Sequence, residues 1–147
     1  GRLDEGAAMM AAYGEILLAS NNLSGVVPQI ALVLGPCVGT SAMIAAGADF
    51  VVMSDKGELT LDTAGADASA KEAMSAGVCH IAAGSEDDAI AAVRNLLVKL
   101  PSNNLCGAPV VDFAGVAAAG ATVAGMKAAD AVKAMADEGS FVELSQT

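Results

Sequence analysis

The sequence contains no tryptophan, one tyrosine, three phenylalanines and a single histidine in 147 residues, so an aromatic ligand-stacking surface and His-rich metal or catalytic sites are excluded from the outset. Basic residues are equally sparse: seven Lys and Arg stand against 17 Asp and Glu, a formal net charge of -10. Phosphate neutralisation needs clustered cations, and here they are scattered singly, which argues against nucleic acid as a partner. The cysteines Cys37, Cys79 and Cys106 are odd in number, widely spaced and without a CxxC pair. They predict neither a disulfide framework nor a zinc site, but reduced thiols and a cytoplasmic location. The apolar stretches around residues 29–53 and 113–126 are broken by Pro28, Pro36, Asp49 and many Gly and Ala residues. Neither reaches the roughly 20 strongly apolar residues of a membrane span. No signal-peptide pattern opens the chain, and Gly1 in place of an initiating Met reads as a cut end.

What is present is a core-forming composition, 54 % hydrophobic and dominated by Ala, Val, Leu, Ile and Met. Its length fits one domain. Helical spacing of Met9, Met10, Tyr13, Ile16 and Leu17 predicts a helix over residues 5–22. The continuous run at 29–34, bounded by Pro28 and Gly35, predicts a central strand buried on both faces. A turn at Gly35-Pro36, a short helix at 41–46 closed by Gly47, and a second buried strand at 48–53 follow. Further expectations are a strand at 58–61, a loop at 62–69, a short helix at 70–74 and a strand at 78–83. Ser85 with Glu86, Asp87 and Asp88 is a strong helix start, and Pro101 ends the apolar face that begins at Ile90. A loop at 101–111, an ambiguous stretch at 113–125, a helix at 128–136 and a short final strand at 141–144 complete the reading. This order predicts an α/β fold of repeated right-handed units.

Side-chain catalysts are scarce. His80 sits in a strand-like segment with no acid near it in sequence, the pattern of a structural histidine. Asp87 and Asp88 are explained by the helix start, and Ser41 belongs to no G-x-S-x-G pattern. Cys37, near a helix start, is better read as packing than as a nucleophile. What remains is the backbone of Gly35-Pro36-Cys37-Val38-Gly39-Thr40, read as a tight strand-to-helix turn. Unsatisfied amides at a helix start favour an anionic oxygen, although a turn without ligand is an equally simple account.

Set in order along the chain, several blocks resemble the carboxyltransferase subunits of biotin-dependent acyl-CoA carboxylases and decarboxylases. Ser24-Gly25-Val26-Val27-Pro28-Gln29-Ile30 followed by Gly35-Pro36-Cys37-Val38-Gly39 is similar to the family's SGV-[IV]-PQI and GPCAGG. Arg2-Leu3-Asp4-Glu5-Gly6 is similar to GGAR-[IL]-QEG, Tyr13-Gly14-Glu15-Ile16 to YGEIF, and Asp49-Phe50-Val51-Val52-Met53 to DFxxM. Gly77-Val78-Cys79-His80 resembles GVAH, and Pro101-Ser102-Asn103-Asn104 the end of LPSNN; Asp137 to Leu144 resembles VDDGSFFEL more weakly.

The resemblance implies a crotonase/ClpP-like fold of repeated β-β-α units, present here as an incomplete single domain. Residues 1–111 would be a partial N-terminal-type carboxyltransferase domain, and 112–147 a linker and the start of the following domain. It implies carboxyl exchange at the α-carbon of a coenzyme A thioester, with biotin carried on a partner such as a biotin carboxyl carrier protein. A homo-oligomer or a complementary carboxyltransferase half would complete the site. By motif position the Gly39 and Thr40 amides form one oxyanion hole, and Gly1 lies at the edge of the other. Gly35, Pro36, Cys37 and Val38 border the substrate, and Arg2 makes an ordering salt bridge or a substrate contact. Alternatives are the α-subunit of a sodium-pumping decarboxylase and a non-catalytic assembly subunit. The sequence departs from the family in three ways: Thr40 replaces the second glycine of GPCAGG, residues 62–73 form a shortened segment, and the glycines before Gly1 are absent.

Overall fold

In a computed structural model of the chain, the residues described are 3–62, 65, 67–110, 124–137 and 139–145. A 3-10 turn at Leu3–Glu5 leads into helix α1 (Gly6–Leu23). Thereafter the chain runs β1 (Ile30–Val33), β2 (Pro36–Val38), α2 (Thr40–Ala46), β3 (Phe50–Met53), β4 (Glu58–Thr60), α3 (Ala70–Ser75), β5 (Ile81–Ala82) and α4 (Glu86–Lys99), with α5 at Ala128–Met135. Two strands then a helix, twice over, is the expected β-β-α repeat.

First strands of each unit assemble into one three-stranded parallel sheet, β1-β3-β5, and second strands into a separate parallel pair, β2-β4. In the larger sheet Ile30 pairs with Phe50 and Val33 with Met53, while Val52 pairs with Ile81. Because side chains alternate across a strand, this register sorts the core into two layers. Val33, Val51, Met53, Cys79 and Ala73 meet on one face, with Ala31, Cys37 and Leu59 packed against them. On the other, Val52, Ala89 and Leu96 bury α4 against Ile30, Leu32, Phe50 and Ile81. The central strand of this sheet is β3, covered on both sides, whereas the run at 29–34, expected to be central and buried on both faces, forms the edge strand β1, of which only Val33 is buried.

Helix ends follow local chemistry. Ser85 Oγ accepts the Asp88 N–H at 3.1 Å at the start of α4, and Ser69 Oγ accepts the Glu72 N–H at 3.3 Å at the start of α3. After α4, the Asn104 N–H donates to Val26 O at 2.9 Å, fastening the Pro101-Ser102-Asn103-Asn104 end to the loop before β1.

Three further expectations change. The segment after Gly35 is not a simple turn, because Pro36–Val38 cross into the second sheet as β2. Proline is tolerated there because it occupies the first strand position. The strand expected at 78–83 shrinks to Ile81–Ala82, since the Val78 and Cys79 N–H groups both donate to Ala73 O and close the end of α3. Residues 141–144 form no strand. Val142 packs on the α4 layer and the Ser145 N–H donates to His80 O at 2.8 Å, a single bond without a ladder. The ambiguous stretch expected at 113–125 lies almost entirely outside the described residues.

Candidate functional site

Gly35 to Thr40 carries the chain from the first sheet, through β2, into α2. Gly39 has φ +65° and ψ -131°, a conformation open to glycine and strained for residues with a Cβ. Its N–H donates to Thr60 O at 2.9 Å and its carbonyl accepts the Met43 N–H at 3.2 Å. Thr40, Ser41 and Ala42 therefore open α2 with N–H groups that have no acceptor among the described residues. Of the two amides expected to face an oxyanion, Gly39's lies in the β2-β4 ladder and Thr40's is left over. Helix α1 reaches the same place: the Tyr13 and Ser41 hydroxyls are 3.2 Å apart in a hydrogen bond.

Gly35, Pro36 and Cys37 line a groove of about 500 Å³ whose other walls come from β1 and from Ile44, Ala45 and Ala48. Val38, Gly39 and Thr40 lie beyond its lining. Cys37 is the only cysteine lining it, and burial pushes its thiol pKa up, which opposes a thiolate nucleophile and agrees with a packing role. Gly1 and Arg2, expected at the second oxyanion loop, lie outside the described residues.

His80 plays a backbone part. The imidazole Nδ1 accepts the Val51 N–H at 2.9 Å while the His80 backbone N–H donates to Val51 O at 2.9 Å, so His80 extends the pairing of β3 by one step. Its ring meets Phe50 edge-on at 6.0 Å. Among the described residues no cluster of His, Cys, Asp or Glu has the make-up of a metal site.

Sequence reasoning missed a second pocket, of about 280 Å³, between α2, β4 and α3. Four of its ten lining residues are alanines, spread over two helices, which leave no motif. The one signal was indirect: it borders the segment whose length departs from the family.

Parallel pairing within both sheets, β-β-α repetition and a glycine-bent entry to α2 define a crotonase-like α/β domain. The chain belongs to the carboxyl transferase domain family, which matches it over residues 1–147. It is 40 % identical over 128 residues to the methylmalonyl-CoA decarboxylase subunit alpha of Veillonella parvula, covering 76 % of this chain and 25 % of that one. To the propionyl-CoA carboxylase beta chain of Saccharopolyspora erythraea it is 38 % identical over 130 residues, covering 78 % and 24 %. A transcarboxylase 12S crystal structure, a hexamer assembly with methylmalonyl-coenzyme A and methylmalonic acid bound, superposes with a TM-score of 0.85 at 28 % identity, over 99 % of this chain and 33 % of that one. The chain spans about a quarter of the length of these curated relatives.

Proposed function

We propose that this chain is part of an enzyme that transfers a carboxyl group to or from the α-carbon of an acyl-CoA in a biotin-dependent reaction. The observation that carries the reading is the family match along the whole chain, centred on the Gly35 to Thr40 entry to α2. Biotin, held on a partner domain or carrier protein, supplies the carboxyl group and takes up the α-proton when bound. The residues present fit such chemistry: apart from the Cys37 thiol, no ionisable side chain lines the 500 Å³ groove to compete as a base.

This chain's share is to orient the thioester and hold charge. As the α-proton leaves, the C–H electron pair moves onto the thioester oxygen, then returns to form the bond to the incoming carboxyl carbon. We assign the developing oxyanion to the Thr40 N–H, with Gly39 setting its direction and Gly35, Pro36, Cys37 and Val38 as neighbouring wall. By motif position Gly1 supplies the other oxyanion edge, and Arg2 orders it or touches substrate. Residues 1–111 then belong to an N-terminal-type carboxyltransferase domain, with 112–147 a linker toward the next. The contact of Val142 with the α4 layer supports a linker that runs back across this domain. A second subunit or carboxyltransferase half completes the site. A cytoplasmic enzyme is the consistent setting, and no helix among the described residues is long and apolar enough to cross a membrane.

The full-length protein, mixed with its biotinylated carrier and a labelled malonyl- or methylmalonyl-CoA, should move label between thioester and biotin. Binding without any transfer would leave only an assembly role. The 40 % identity to a decarboxylase alpha subunit favours a second reading, the α-subunit of a sodium-pumping decarboxylase. Decarboxylation that depends on a membrane subunit and sodium, and not on ATP, would select it.

A further inference from the structure

We propose that Tyr13 is a positioning residue for carboxyl transfer: through its hydrogen bond to Ser41 it fixes α1 to the first turn of α2 and so sets the spacing of the two oxyanion-bearing segments. This rests on the carboxyltransferase reading above. Ser41 directly follows Thr40, whose N–H takes the oxyanion in that reading. Helix α1 follows Gly1 and Arg2 after one 3-10 turn, and Gly1 is the other assigned edge. The Tyr13–Ser41 pair therefore joins the helix behind one edge to the helix behind the other.

Burial within the described residues does not hold α1 in place. None of its 18 residues is buried, and Met10, Ile16, Leu17, Leu18 and Leu23 are exposed, so the packing that fixes most helices is missing from this face of the domain. Hydrogen bonds to later elements tie it instead. The Tyr13 and Ser41 hydroxyls share one at 3.2 Å in a partly buried setting, and Gln29 Nε2, just before β1, donates to the Ser20 carbonyl at 3.0 Å. Tyr13 and Ser20 are seven positions apart, about two turns, and so lie on one face of the helix. At the other end of the first bond the anchor is firm, because Ala42, next to Ser41, is buried in the body of the domain. A shift of about 1 Å between groups that must act together can cost about 10²-fold in rate, so a tie of this kind is felt in turnover.

The test uses the full-length protein with its biotinylated carrier, and compares Tyr13→Phe, Ser41→Ala and the double variant by kcat, by KM for the acyl-CoA and by melting temperature. Each single change removes one hydroxyl and no other bulk. Each is expected to lower kcat about fivefold, the worth of one neutral hydrogen bond, with KM near the parent's. The double variant should be no slower than the slower single one, since both changes break the same bond. Ser41→Thr, which keeps a hydroxyl, should retain most of the parent's kcat. Lower melting temperatures with kcat unchanged would reduce the pair to a structural bond and overturn the proposal. Losses that multiply in the double variant, or a Ser41→Thr variant as slow as Ser41→Ala, would overturn it too, while the carboxyltransferase reading stands. No transfer by the unsubstituted protein overturns that reading and this one with it.

Discussion

Replacing Gly39 by alanine, with Gly35→Ala as its companion, separates backbone strain from side-chain bulk at the entry to α2. A Cβ built at either position meets nothing within 4 Å, so neither change causes a clash. The difference is torsional. Gly39 has φ +65° and ψ -131°, where a residue with a Cβ costs about 1–3 kcal/mol. Gly35 has no positive φ, and alanine there stabilises by about 0.4–1 kcal/mol through the unfolded chain. The two variants should therefore differ by about 1.5–4 kcal/mol although they lie four positions apart. Relief of the strain would require rotating a peptide whose N–H is bonded to Thr60 O and whose carbonyl accepts the Met43 N–H, so the direction of the Thr40 amide changes with it. Loss of an oxyanion donor typically lowers kcat about 10²–10³-fold. Melting temperature and amide exchange along β2-β4, measured in the full-length protein beside carboxyl transfer, provide both readings. Equal stability of the two variants would show that the positive φ is not required. Full turnover by Gly39→Ala, despite lost stability, would refute the Thr40 donor.

Other changes follow from single distances. A Cβ on Gly57 would lie 2.5 Å from Val33 O and 3.2 Å from Ser54 O, both backbone atoms, so Gly57→Ala should destabilise by about 3 kcal/mol; a melting curve unchanged from the parent would contradict this close approach. His80→Ala removes the acceptor of the N–H of fully buried Val51, an expected loss of about 1–3 kcal/mol, with faster exchange of the Val51 amide as the specific readout. Under iodoacetamide at neutral pH, exposed Cys106 should label first, Cys37 slowly because burial keeps its thiol protonated, and fully buried Cys79 last. Peptide mass spectrometry gives the order, and rapid labelling of Cys37 would reopen a nucleophilic role.

Much of the fold was legible because its signals are local. The apolar run at Ile30–Val33, the capping Ser85 with acids behind it, and the Pro101 stop each fix an element from a few neighbours. The β2 strand was not, since Pro-Cys-Val has no period and becomes a strand only when Glu58–Thr60 arrives to pair with it. The reverse error at residues 141–144 has the same cause, as a strand-like run finds a single bond to His80 instead of a ladder. The candidate site was legible as a motif but not as a donor set. Sequence order shows that Gly39 and Thr40 are adjacent, whereas only the pairing of β2 with β4 shows that one of their amides is already engaged. Alanine walls such as Ala42, Ala46, Ala73 and Ala76 left no pattern, because space between elements is not encoded by any one of them.

The same geometry bears on Thr40, the departure from the family's second glycine. Glycine is needed where φ is positive, and among the described residues the only non-glycine with positive φ is Ser145. Position 40 is the first residue of α2, with the helix already begun, so a β-branched side chain is accommodated without backbone strain. The torsional work is done one residue earlier, at Gly39. An interaction that depends on a backbone N–H survives the exchange of its side chain, and Thr40 keeps that N–H. Its methyl and hydroxyl add bulk at the first position of α2, next to that amide. Thr40→Gly should therefore alter which acyl chains are accepted more than how fast the best one reacts. A large fall in kcat for every substrate would show that the threonine side chain, and not only the amide beneath it, takes part.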